Sequence, residues 1–184
     1  MQATSNHFLL VTFLLVNYTN SFISSAPIEN NPTQNKNIVS AKLTQKLDCN
    51  AQHAFSIYSD LSNHPKWCPS LKSVTYDKTD PTVSNWVLSV LKVKHTWEAK
   101  TTETNPDIES PSMRWKSISG VENTGHVVFF DNDLKNNCCK MTLSVKIRVP
   151  RLVAKVMPED FVAKRLLTGS LVEFNRVASA ASKK

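Results

Sequence analysis

Apolar and polar residues alternate over much of the chain. Residues 38–47 place Val39, Ala41, Leu43 and Leu47 on one side and Ser40, Lys42, Thr44 and Lys46 on the other, the period of a half-buried strand. The cleanest alternation is Lys140 to Val149, with Met141, Leu143, Val145, Ile147 and Val149 against Lys140, Thr142, Ser144, Lys146 and Arg148. Between these two, strand patterns are predicted at Leu71 to Lys78, Val83 to Lys94, His95 to Glu103, Met113 to Ile118 and His126 to Asp131. Asp80-Pro81 marks a turn. Short turn-bounded strands in series imply an antiparallel sheet.

Helical spacing occurs twice. After Asp48 or Asn50, either able to cap a helix, Ala51, Ala54, Phe55, Tyr58 and Leu61 share one face. That helix must stop before His64-Pro65, because a residue preceding proline disfavours the α region, and Lys66-Trp67-Cys68-Pro69 reads as a second short turn. The sheet ends at Pro150. From Pro158, which suits a first helical turn beside Glu159 and Asp160, one apolar stripe runs through Ala163, Leu166, Leu167, Ser170, Leu171, Phe174, Val177, Ala178 and Ala181. Lys164, Arg165 and Arg176 lie off that stripe. The order predicts an α+β arrangement: a curved antiparallel sheet of about seven strands wrapped around a long C-terminal helix, with two short helices after strand 1.

The first thirty-five residues differ from the rest, having no Lys or Arg. Phe8 to Val16 is an apolar run too short to span a bilayer but of the length of a signal-peptide core. Followed by Asn20-Ser21-Phe22 and Ser24-Ser25-Ala26-Pro27, it resembles the bipartite plastid presequence of algae with secondary plastids; plain secretion is the alternative. The expected division is therefore a leader, 1–35, and one domain, 36–184.

Composition mainly excludes. With three glycines in the chain, no Gly-rich phosphate loop or dinucleotide fingerprint can be built. Cys49, Cys68, Cys138 and Cys139 form no CxxC, so neither a zinc site nor a redox pair is indicated, and no cofactor or metal is expected. Free thiols suit a reducing compartment. Of the 22 Lys and Arg, eleven fall after residue 134, against three acids there. Such a basic C-terminal region suits an anionic membrane surface, or is a solvated helix face with a lysine tail. Nucleic acid is not expected, because the basic residues are not interleaved with exposed aromatics.

Asp60-Leu61-Ser62-Asn63-His64-Pro65-Lys66-Trp67, then Trp86, Trp97, Trp115 to Gly120 and Asn123 to Phe129, follow one family pattern. From about residue 38 to 178 the chain resembles the polyketide cyclase/dehydrase and coenzyme Q-binding branch of the START-like helix-grip (SRPBCC) superfamily. The resemblance implies an apolar ligand held between sheet and helix. Trp86, Leu88, Trp97, Met113, Trp115, Phe130, Met141, Leu143, Leu167 and Leu171 are the residues expected to line that space. A mostly apolar pocket suits a prenyl quinone, a lipid or a polyketide-like ring, although aromatic stripes on strands also serve as plain core.

Catalysis needs a proton-transfer group with a partner, and no such pairing stands out. His53, His64, His95 and His126 are isolated, no HExxH or paired carboxylates occur, and Cys68 has only Lys66 to lower its pKa. No catalytic residue is therefore assigned, and a carrier is favoured over an enzyme. The alternative, a cyclase or dehydratase acting on a polyketide-like substrate, requires His95, His126, Glu98 or Asp131 to face the ligand space.

Overall fold

The computed structural model describes residues 38–90, 93–133, 137–148 and 167–181. The expected leader, Pro150, Pro158 and the Ala163–Leu166 part of the last helix lie outside the described residues.

Strand β1 (Ile38–Leu47) leads into helix α1 (Ala51–Ser59) and a 3-10 helix (Leu61–Lys66). Six strands follow: β2 (Leu71–Tyr76), β3 (Val83–Val90), β4 (Val93–Asn105), β5 (Ser112–Ser119), β6 (Asn123–Asp133) and β7 (Cys138–Arg148). Helix α2 is described over Thr168–Ala181. All seven strands form one antiparallel sheet of order β1-β7-β6-β5-β4-β3-β2.

Local chemistry accounts for the elements after β1. Asn50 caps α1, its side chain accepting from the His53 amide at 2.8 Å, so one of the helix's orphan N–H groups is satisfied. The Asp131 carboxylate accepts from the Ala51 amide at 2.8 Å and joins the start of α1 to β6. The second short helix lies earlier than expected: it spans Leu61–Lys66 and contains Pro65. It tolerates proline because its bonds come from Asn63, Trp67 and Cys68 and ask for no N–H at Pro65. Asp60 begins it, accepting from the Ser62 amide at 3.1 Å.

The expected single strand Val83–Lys94 is in fact divided, and Val90 pairs with Val93 where the chain reverses. Gly120 (φ +71°) completes the β5–β6 turn, where a Cβ would stand 2.6 Å from the Thr96 carbonyl oxygen. Only glycine meets both demands without strain.

One face of the sheet carries the core. β1, β7, β6 and β5 contribute Leu47, Met141, Leu143, Val127, Phe129 and Met113, all buried, against Ala54, Phe55 and Tyr58 of α1 and Leu171, Phe174 and Ala178 of α2. His53 ties the helices together, its Nε2 lying 3.2 Å from the Ala178 carbonyl oxygen. Four cysteines are free thiols, with Cys49, Cys138 and Cys139 buried.

Candidate ligand face of the sheet

Two regions divide the inner face. At the β1/β7/β6 end packing is dense: Phe129, Phe174, Tyr58 and Trp67 meet in mostly edge-to-face contacts, with Phe174 4.9 Å from Trp67 and 5.5 Å from Tyr58 between centroids. That geometry suits aromatic quadrupoles. Towards β5, β4 and β3 the surface is formed by half-buried indoles. Trp86 and Trp97 are directly opposite in the β3–β4 register and stack at 5.5 Å with 14° between planes. Trp115 lies across Gly125, its partner on β6.

Polar atoms on this face are almost all satisfied within the protein. The Trp86 indole N–H donates to Ser84 Oγ at 2.8 Å, and that hydroxyl donates to the Ala99 carbonyl at 3.2 Å. The Trp115 N–H donates to Asn123 Oδ1 at 3.3 Å, while Asn123 Nδ2 donates to the Val121 carbonyl at 2.8 Å. Ser117 Oγ accepts from the Asn123 amide at 2.8 Å. Trp86 and Trp115 thus offer a ligand ring surface rather than hydrogen bonds.

His95 is the exception. It stands opposite Leu88 and two residues from Trp97 on the same side of β4, is only 6% exposed, and among the described residues its Nε2 has no hydrogen-bond partner. An unpaired buried nitrogen costs about 1–3 kcal/mol, so its presence calls for a partner that the described residues do not supply.

The other three proton-transfer candidates lie elsewhere. His126 and Glu98 are on the outer face, and Asp131 is exposed with its carboxylate at the start of α1. Among the described residues no three His, Cys, Asp or Glu side chains gather as a metal site.

Of the residues expected to line the ligand space, Met113, Met141, Leu143 and Leu171 are fully buried in the core. Trp86, Leu88, Trp97, Trp115 and Leu167 are half-buried and pack against it. Phe130 does not belong with them: it is 46% exposed on the outer face, and Phe129 takes the inner position. The register decides this, pairing Val127 with Leu143 and Phe129 with Met141. Reading β6 alone missed it, because both alternating sets, Val127/Phe129 and Val128/Phe130, are apolar. The sequence also undervalued His95, whose surroundings come from β3 and from its own strand.

His64 completes the aromatic wall. Its Nε2–H donates to the Tyr58 carbonyl at 2.9 Å, and its ring sits edge-on to Trp86 at 5.3 Å. Burial pushes its pKa down to about 4, against about 6.5 in the unfolded chain. The unfolded state therefore binds the proton more readily. Stability from this group is fully present above about pH 6.5 and is lost as the pH falls towards about 4, a loss on the order of 3 kcal/mol. Urea denaturation at neutral and at mildly acidic pH checks it: His64→Gln is expected to flatten the decline seen in the parent protein.

Comparison with known proteins agrees with this geometry. Residues 47–167 match the family model described as polyketide cyclase / dehydrase and lipid transport. The chain belongs to that family. Among solved structures it is similar to the Zhui aromatase/cyclase from Streptomyces sp. R1128 (TM-score 0.57, 11% identity, 79% of this chain and 94% of that one). It is also similar to a START superfamily protein from Mycobacterium smegmatis (0.53, 13%, 78% and 97%). A third is a norcoclaurine synthase point mutant from Thalictrum (0.58, 12%, 80% and 97%). At such identities these structures share the fold. No curated protein matches the sequence.

Proposed function

We propose that the protein binds and carries a hydrophobic small molecule laid against Trp86, Trp97 and Trp115, with its one polar atom hydrogen-bonded to His95. The observation that carries this reading is the buried Nε2, unpartnered among the described residues, close to Trp86, whose own indole N–H is already engaged. Such a surface suits a large apolar body with few polar groups, such as a prenyl quinone, a lipid or a polyketide-like ring. The family description, which names both cyclisation and lipid transport, supports that class of ligand.

A second reading has one specific observation in its favour. His95 is the only one of the four proton-transfer candidates both buried and on the inner face, so it is where a cyclase or dehydratase would hold its acid or base. The carrier is preferred because among the described residues His95 has no partner to orient it, which a catalytic base requires.

Titration with decylubiquinone, followed by quenching of tryptophan emission, tests the proposal. Saturable quenching is expected, weakened about three- to tenfold in His95→Phe, the effect of one neutral hydrogen bond. Absence of saturable quenching by this quinone, by a fatty acid and by an aromatic polyketide, with nothing apolar extracted from the purified protein, would overturn it. We further propose import of the precursor into a plastid by residues 1–35, which a fluorescent fusion of that segment tests.

A further inference from the structure

The opposite face of the sheet carries an arrangement that ligand carriage does not use. On the outer side of β1, β7, β6 and β5 lies a shallow trough of about 850 Å³, lined by the cations of Lys42, Arg114, Lys116 and Lys146 and by the His126 imidazole. Register places these residues in two neighbouring rows across the strands. One row runs Lys42, Ser144, His126, Arg114, and the other runs Ser40, Lys146, Thr124, Lys116, Lys100. Hydroxyls of Ser40, Thr124 and Ser144 thus stand between the cations.

The charges are poorly compensated. Arg114 pairs with Glu103 at 2.9 Å and Lys100 with Asp80 at 3.1 Å, whereas Lys42, Lys116 and Lys146 have no carboxylate within 4.0 Å among the described residues. Lys116 also stands directly opposite Lys100, and like charges at opposed positions destabilise a sheet. Adjacent strands are about 4.8 Å apart. Lys146 and Lys116, separated by the single strand β6, therefore lie roughly 10 Å apart and flank Thr124 at a span that one or two phosphates would bridge.

We propose that this trough is a binding site for a phosphate-type polyanion, contacted by Lys42, Lys116 and Lys146 with hydroxyl support from Thr124 and Ser144. The bound group would be either a soluble phosphorylated compound or a phospholipid headgroup. An anion there relieves the repulsion between Lys100 and Lys116 and completes the hydrogen bonding of the ammonium groups, which act as point-charge phosphate binders.

His126 reports occupancy. It is flanked by Arg114 and Lys116 on β5, Ser144 and Lys146 on β7, Lys42 on β1 and Glu103 on β4. Burial first, and then Arg114, hold its pKa below the usual imidazole value, with Glu103 opposing. A bound polyanion favours the imidazolium, so the His126 midpoint is expected to rise on binding, and binding to tighten as the pH falls.

The test uses the folded protein with two probes: inorganic pyrophosphate, followed by the His126 ring signals and by thermal shift, and flotation with phosphatidylcholine vesicles with and without phosphatidic acid. Saturable pyrophosphate binding identifies a soluble anion. Flotation only with phosphatidic acid identifies a headgroup. In either case the Lys42→Gln/Lys116→Gln/Lys146→Gln variant should lose at least tenfold in affinity and keep or raise its melting temperature, while Lys72→Gln, at an exposed position on β2, retains binding. Neither probe binding, binding untouched by the triple substitution, or binding only to an RNA or an acidic protein would overturn the proposal.

Discussion

Replacing Phe129 with alanine is expected to remove about 3–5 kcal/mol of stability, the cost of truncating a fully buried phenylalanine. Its ring is 0% exposed and meets Phe55 at 6.1 Å, Tyr58 at 5.8 Å and Phe174 at 6.4 Å. It therefore joins the sheet to both helices at once, and none of these rings can move into the vacancy without losing another contact. A domain of this size has about 5–15 kcal/mol in all, so much of the reserve would go. Phe130→Ala, one residue along, is expected to change stability by no more than about 0.5 kcal/mol. Urea midpoints of the two variants test the β6 register directly: equal losses, or a larger loss for Phe130, would contradict the pairing of Phe129 with Met141.

A methyl group at residue 125 is expected to be nearly as harmful. A Cβ there would fall 1.9 Å from Cζ2 of Trp115 and 2.3 Å from its Cε2, separations that no atoms tolerate. The indole must swing away, losing its bond to Asn123 and its cover over the strand. Overpacking of this kind costs about 1–3 kcal/mol, and Gly125→Ala should show it together with a red shift of tryptophan emission as Trp115 meets water. Trp115→Ala removes the obstruction. The double variant is then expected to be less destabilised than the sum of the two single changes. Additive losses would mean that the ring does not rest on Gly125.

Legibility of the fold depended on how strongly each segment's two faces differ. β1 and β7 were readable because lysines and threonines alternate with aliphatics, leaving one choice of inner side. β6 was not, since valine and phenylalanine occupy both faces. The reversal between Val90 and Val93 carried no glycine, asparagine or aspartate to mark it. Of the candidate site, the tryptophans were legible as large residues on one face. The importance of His95 was not, because isolation of a ring nitrogen depends on neighbours brought by the fold rather than on spacing. The outer trough was still less visible: Lys42, Lys116 and Lys146 come from three strands, and only the register across those three and β6 makes those ammoniums neighbours.

Thr44 of the first strand shares a hydrogen bond with Thr142 of the last, 98 residues away. A nascent chain leaving the ribosome thus holds β1 without its pairing partner until β7 has emerged. Closing so long a segment is an entropic hurdle that nearby contacts cannot lower. Maturation should accordingly proceed in one late step, and truncated products ending before Cys138 should be caught by chaperones or degraded rather than accumulate.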